Sequence, residues 1–284
     1  MNAGEGSRSD NEELAIAAEA LASARYAIAL VGAGISVESG IPPFRGPGGL
    51  WTKHGEPPMD GYQRAMADPA KHWREMLARR SGDDEFVRAI REARPNAAHH
   101  ALARLEAMGV LKHTISQNID NLHFEAGSVS VTEIHGNRTK LRCIDCGARW
   151  PFDEFLAVHV AATGEVVDEP QALEGAPACP QCRGIVKGDT VMFGEPIPQA
   201  ALAECYAQAE RADCILIAGT SATVMPAAWF PEIVRDRGGA LIEANTEPTP
   251  FTRDCVASLR GPAGELLPLL ADAVASTQTG RSRA

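Results

Sequence analysis

Tyr26-Ala-Ile-Ala-Leu-Val31 runs without a break into Gly32-Ala33-Gly34-Ile35-Ser36, and the reading of this stretch decides the fold. The first six residues, all apolar or aromatic, read as a buried strand. The two glycines read as a tight turn, and the residues after them as the start of a helix. Such a strand, turn and helix N-terminus can cradle a phosphate, because glycine lets the backbone approach and the first helical N–H groups lack partners. A plain βα turn would use the same residues. A nicotinamide-dependent dehydrogenase fits poorly. Val37 stands where the third glycine of Gly-x-Gly-x-x-Gly belongs, and no acidic residue ends a clear second strand about twenty residues on.

The same unit recurs along the chain. Residues 110–115 form an apolar, β-leaning run that ends in Ser116-Gln117-Asn118-Ile119-Asp120, and 131–134 form another that ends in His135-Gly136. Residues 214–218 run into Gly219-Thr220-Ser221, and 240–243 into Ala244-Asn245-Thr246-Glu247. Residues 186–195 read as an extended run closed by a Gly-Glu-Pro turn. Helical pattern is predicted over 12–24, 60–93, 96–108, 200–212, 226–237 and 263–273. Strands alternating with helices predict an α/β fold with a doubly wound, Rossmann-like parallel sheet. Ligands of such sheets bind beyond the carboxyl ends of the strands, so Asn118, Asp120 and His135 are predicted to face one crevice. An amide, a carboxylate and an imidazole can there do acid–base chemistry on a sugar-like hydroxyl. Each of them alone could equally be a turn or loop residue. His99 and His100, on the 96–108 helix, read as packing or surface residues.

The strongest local pattern is Cys143-Ile-Asp-Cys146-Gly147 with Cys179-Pro-Gln-Cys182-Arg-Gly184, two Cys-x-x-Cys knuckles separated by 32 residues. Four thiolates suit one tetrahedral zinc and leave no open position, so the metal is expected to be structural. An iron–sulfur centre or redox pairs are the other readings. Cys205, Cys214 and Cys255 read as buried small hydrophobes. Residues 40–51, with four glycines and three prolines, read as an irregular loop able to close over a ligand. The expected organisation is a nucleotide-binding domain over 11–135 and 187–274, with a helical insertion at 46–95. A small zinc-binding module occupies 136–186, and 1–10 and 275–284 are flexible tails.

Composition bounds the function. The 284 residues are 45% hydrophobic and 23% charged, with a net charge of −10. That balance argues against a protein built to grip nucleic acid. No apolar run reaches the roughly 18–20 residues of a membrane span, and the first residues lack the apolar core of a signal peptide. A cytoplasmic location is expected.

Taken in order, Gly32-Ala33-Gly34-Ile35-Ser36, Gly40-Ile41-Pro42 with Phe44-Arg45, Gln117-Asn118-Ile119-Asp120, His135-Gly136, the four cysteines, Phe193-Gly194-Glu195, Gly219-Thr220-Ser221 and Asn245 resemble the motif series of the sirtuins, NAD-dependent protein-lysine deacylases. Pro43 departs from the Asp or Thr that many sirtuins carry in the loop. The resemblance implies that NAD is a consumed co-substrate and that the partners are acyl-lysine proteins or peptides. It places Gly32, Ala33, Gly34 and Ser221 at the phosphates and nearby ribose, and Asn245 on the adenosine side. Asn118, Ile119 and Asp120 lie at the nicotinamide ribose and carboxamide, and Phe44 and Arg45 in the closing loop. Ser36, Gln117, Gly219, Thr220, Thr246, Glu247 and Ala263 are further cofactor contacts. His135 is the general base, with Asn118 and Asp120 as its catalytic companions, and the peptide pairs as an extra strand near Phe193-Gly194-Glu195. Some sirtuins that remove succinyl or malonyl groups carry a Tyr-x-x-Arg pair. Here Met76 takes the tyrosine place and Arg79 the arginine place, which implies a deacetylase that also accepts uncharged longer chains. Mono-ADP-ribosyl transfer and a preference for acidic acyl groups are the alternatives.

Overall fold

The computed structural model describes residues 8–44, 48–82, 84–163 and 176–281. Its strands are β1 (Ala27–Val31), β2 (Leu111–Ser116), β3 (Val131–Glu133), β4 (Lys140–Cys143), β5 (Arg149–Pro151), β6 (Val186–Gly188), β7 (Cys214–Ala218), β8 (Ala240–Asn245) and β9 (Cys255–Arg260). Six of them form a parallel sheet in the order β3-β2-β1-β7-β8-β9. The other three form a small antiparallel sheet, β5-β4-β6. The Rossmann-like α/β fold predicted from the sequence is the fold observed.

All five residues of β1 are buried, as expected of a strand covered on both faces. Their side chains alternate between two cores. Ala27, Ala29 and Val31 join the layer built with helices Asp10–Ser23, Ala97–Ala107 and Ala263–Arg281. Ile28 and Leu30 join the layer built with Gln199–Arg211 and Trp229–Asp236. β1 pairs with β2 on one side and β7 on the other, so the chain winds outward in both directions from it. Beyond the carboxyl ends of such a pair lies the crevice where ligands bind.

Several elements differ from the sequence reading. The helix after Gly32 is a 3₁₀ helix, Ala33–Ser39. β9 escapes the sequence because it is a half-exposed edge strand whose Ser258 and Arg260 are bonded to Glu13 and Glu243. The run at 186–195 is a strand only over Val186–Gly188. Helix Phe152–Thr163 lies between the two cysteine pairs. The last helix continues past 273 to Arg281, where the guanidinium bonds to the Ala22 carbonyl and to Ser23 and Glu19. Residues 275–281 are therefore helix held to the first helix, not tail. Cys255 is half-buried, its thiol donating to the Phe251 carbonyl at 3.2 Å.

The turns after β1 and β7 touch. Gly34 N–H donates to the Gly219 carbonyl at 2.8 Å. A Cβ on Gly34 would lie 2.7 Å from that oxygen and 2.8 Å from the Gly219 Cα. Backbone on both sides leaves no flexible atom to yield. Gly34→Ala is expected to lower stability by about 1–3 kcal/mol, read as a lower urea midpoint. An unchanged midpoint would mean the turns can separate without cost.

Candidate active site

The site is assembled from the ends of β1, β2, β3, β7 and β8. Asn118, just past β2, donates through Nδ2 to the Gly32 carbonyl at 3.2 Å and to Ser36 Oγ at 3.0 Å. Ser36 Oγ in turn donates to Asp120 Oδ2 at 2.7 Å, while Asp120 Oδ1 accepts from Leu122 N–H at 3.0 Å. Ser36, Asn118 and Asp120 are all buried. Gln117 links the halves of the sheet, donating to the Val31 carbonyl and to Thr220 Oγ1 at 2.9 Å. Thr220 N–H donates to Asn245 Oδ1 at 2.9 Å. The other end of that amide, Asn245 Nδ2, is buried with no hydrogen-bond partner. A buried donor without a partner suits a ligand acceptor.

His135 sits on the turn after β3. Its Nδ1 lies 3.0 Å from the Gln117 carbonyl. A carbonyl can only accept, so Nδ1 carries the proton and Nε2 is left as the acceptor. Burial lowers the His135 pKa below the ordinary 6.5, with the Gln117 carbonyl opposing. A network partner missed in the sequence is His99, whose Nε2 lies 3.4 Å from Ser36 Oγ. Its only local signal is Asn96, which caps the helix through Ala98 N–H and meets His99 Nδ1. His99 packs edge-on against His123, ring centroids 5.0 Å apart. Burial pushes His99 down to about 3 and His123 down to about 4.

Ala33 opens the 3₁₀ helix, and Gly219 and Ser221 follow β7. Thr246 and Glu247 are exposed just beyond β8. Ala263 begins the last helix, where the next N–H, of Gly264, donates to Glu38 Oε2 at 2.6 Å. Arg45 lies outside the described residues. The loop that carries Pro43 is closed by backbone bonds from Leu50 and Trp51 to the Pro43 and Phe44 carbonyls, both 2.9 Å. Phe44 packs tilted against Trp51 with ring centroids 5.2 Å apart, and Trp51 meets Phe193 edge-on at 5.5 Å. A cleft of about 800 Å³ runs between the helical segment and the residues after β6. Ile119, Phe193, Met76, Arg79 and Arg138 are among its walls. Gly194 packs on Met59 and Gln63, and the Glu195 side chain is buried against Arg142 and Lys187.

Cys143, Cys146, Cys179 and Cys182 bring their sulfurs within 4.8 Å of one another. Two of the pairs stand 3.5 and 3.7 Å apart. Thiolates bonded at ~2.3 Å around a tetrahedral zinc stand roughly 3.8 Å apart. The four residues therefore fit one zinc ion, held with every position filled.

A glycine-lined crevice at the switch point of a doubly wound sheet, with a cysteine-held appendage beside it, defines a nucleotide-binding α/β protein with a metal-held module. Comparison with known proteins narrows the class. The Sir2 family matches residues 32–226, well over half of the chain. An NAD-dependent protein deacylase of Thermococcus kodakarensis is 45% identical over 254 residues, 89% of this chain and 93% of the relative. A solved Sir2 homologue in complex with NAD superposes with a TM-score of 0.73 at 37% identity, covering 97% of each chain. A Sir2 structure holding a deacetylated p53 peptide and 3′-O-acetyl-ADP-ribose has a TM-score of 0.70 at 30% identity, covering 93% of this chain and 98% of that one. The chain belongs to the Sir2 family.

The buried histidines set a pH dependence of stability. In the unfolded chain their rings take up protons near 6.5; in the fold they stay neutral down to about 3 and 4. Stability is thus full above 6.5 and is lost as the pH falls toward those values. Glu133, pushed by burial from 4.5 up to about 7, opposes with one proton over part of that range. Two protons against one leave stability rising with pH by on the order of 1 kcal/mol per unit between about 4.5 and 5.5, the slope falling away toward 6.5 as the unfolded rings lose their protons. Urea denaturation at a series of pH values checks this. A flat or falling line would mean that the rings are charged in the fold.

Proposed function

We propose that this chain is an NAD-dependent protein-lysine deacylase, most active on acetyl-lysine, releasing nicotinamide and O-acyl-ADP-ribose. The observation that carries the reading is the His135 tautomer: Nδ1–H is spent on the Gln117 carbonyl, so Nε2 is free to take a proton. Depressed basicity keeps that ring neutral at physiological pH. Asn118 and Asp120 hold the nicotinamide ribose, in an orientation supported by the Ser36 bridge between them. The acyl-lysine carbonyl oxygen attacks the ribose C1′ as nicotinamide leaves. His135 then removes a proton from a ribose hydroxyl, which commits the acyl group to transfer. Gly32, Ala33, Gly34 and Ser221 serve the phosphates. Asn245 serves the adenosine side with its open Nδ2. The zinc ion, when bound, supplies structural cross-linking of the two cysteine hairpins. No helix among the described residues is long and apolar enough to cross a membrane; we place the enzyme in the cytoplasm, acting on acyl-lysine proteins and not on nucleic acid.

The test is to incubate protein, NAD and an acetyl-lysine peptide and to identify products by mass spectrometry. Nicotinamide with O-acyl-ADP-ribose is expected; ADP-ribosylated protein instead would point to the transferase alternative. His135→Ala should lower deacylation on the order of 10²–10⁴-fold while NAD still binds. Activity within about threefold of wild type would remove His135 from its role.

Acyl choice follows from the cleft. Met76 offers it a flexible apolar wall and no hydroxyl donor. Arg79 alone can attract a carboxylate but lacks the partner that would orient it. Comparing kcat/KM for one peptide carrying acetyl-, butyryl- or succinyl-lysine should rank the two uncharged groups above succinyl. Succinyl preferred over acetyl by about tenfold, a difference of about 1.4 kcal/mol, would overturn this reading of Met76.

A further inference from the structure

Where the small sheet meets the crevice, the side chains of Arg142, Lys187, Asp189 and Glu195 are all buried. Asp189 Oδ1 accepts from Arg142 Nε at 3.1 Å and from Arg149 Nε at 3.0 Å. Its other oxygen accepts from the backbone N–H of Asn137 at 3.2 Å, two residues past His135. Arg142 also donates to Glu195 Oε1 at 2.5 Å, and Lys187 Nζ meets Glu195 Oε2 at 3.0 Å. That Oε2 also accepts from Met192 N–H at 2.9 Å, closing the turn through Phe193 and Gly194.

The backbone repeats the connection. Val191 N–H donates to the His135 carbonyl at 2.8 Å. Gly136 has a φ of +78° and lies so close that a Cβ there would stand 2.0 Å from the Asp189 carbonyl oxygen. Segment 135–137 is thus clamped to segment 189–195 by a main-chain bond, a side-chain bond and a van der Waals contact. Charges buried this deeply are a poor source of stability, since apolar side chains of equal volume often do as well. What the charges add here is geometry, because each carboxylate oxygen reaches a particular N–H.

We propose that Asp189 is a positioning residue for His135. It holds the turn of the general base to the turn that receives the peptide, and Arg142, the neighbour of Cys143, anchors Asp189 and Glu195 together. The two turns then move as one unit with the cysteine hairpin. This rests on the deacylase reading above. In that reading nicotinamide departs before His135 takes a proton, so losing Asp189 falls on acyl transfer and spares the earlier, reversible step.

The experiment measures two rates in wild type, Asp189→Ala and Asp189→Asn: deacylation of an acetyl-lysine peptide, and exchange of labelled nicotinamide into NAD in the presence of that peptide. Asp189→Asn keeps the shape and one acceptor oxygen but cannot accept from Asn137 and both arginines at once, so it decides the matter if Asp189→Ala fails to fold. Deacylation kcat is expected to fall at least about tenfold while exchange stays within about threefold, since general-base alignment matters only to the later step. Parallel loss of both rates, as a merely structural role would give, overturns the proposal, and so does retention of both. Wild-type protein that neither exchanges nor deacylates would instead be a failure of the deacylase reading.

Discussion

The contact on which the rest of the structure depends is the approach of Gly34 to Gly219. It joins the turns after β1 and β7 across the switch point of the sheet, at a separation that a methyl group would close. Ile35 enters the core, and Ser36 is set over the end of β2. There its single hydroxyl accepts from Asn118 and donates to Asp120, so a serine on one strand end fixes two side chains on another. A site divided among five strand ends holds its geometry because such short bonds cross between them.

The second constraint is the shared core between the helical segment and the cysteine-bearing sheet. Trp73, on helix Pro69–Ser81, is buried among Leu141, Phe152 and Val186, and its indole N–H donates to the Val186 carbonyl. Cys143 and Cys179 belong to the same apolar cluster. Metal held by those thiolates would therefore stabilise more than a hairpin. It would support the surface on which Met76 and Arg79 face the cleft, and the paired strands β4 and β6 that carry Arg142 and Lys187.

Histidine burial gives the crevice a particular electrostatic character. His99, His123 and His135 all have lowered basicity, in each case chiefly by burial. Neutral rings can pack edge-on and can accept protons; charged ones in the same positions would repel each other and demand partners that the walls do not supply. His123 has no hydrogen-bond partner on either nitrogen. The same burial that keeps the His135 ring neutral makes the fold sensitive to acid.

Much was legible in the sequence because it was local. The run from Tyr26 to Ser36 states strand, turn and glycines within eleven neighbouring residues, and β7 with Gly219 repeats the pattern. Cysteine spacing gave the metal ligands for the same reason, since each knuckle is a turn and needs only its own residues. What stayed hidden is what depends on distance along the chain. β9 is a strand because β8 offers it a partner edge, not because Cys255–Arg260 alternates cleanly. The end of the last helix is held by groups at Glu19, Ala22 and Ser23, so no pattern within 263–281 could set its length. His99 looks like any packed helical histidine until folding brings it to Ser36, 63 positions earlier. Asp189 carries no motif of its own; it meets Asn137 across 52 residues, Arg142 across 47 and Arg149 across 40. Residue type and short-range pattern determined the chemistry that the chain can perform. The tertiary structure decided which atoms face one another, because a hydrogen bond between distant residues exists only when the whole sheet has set their separation.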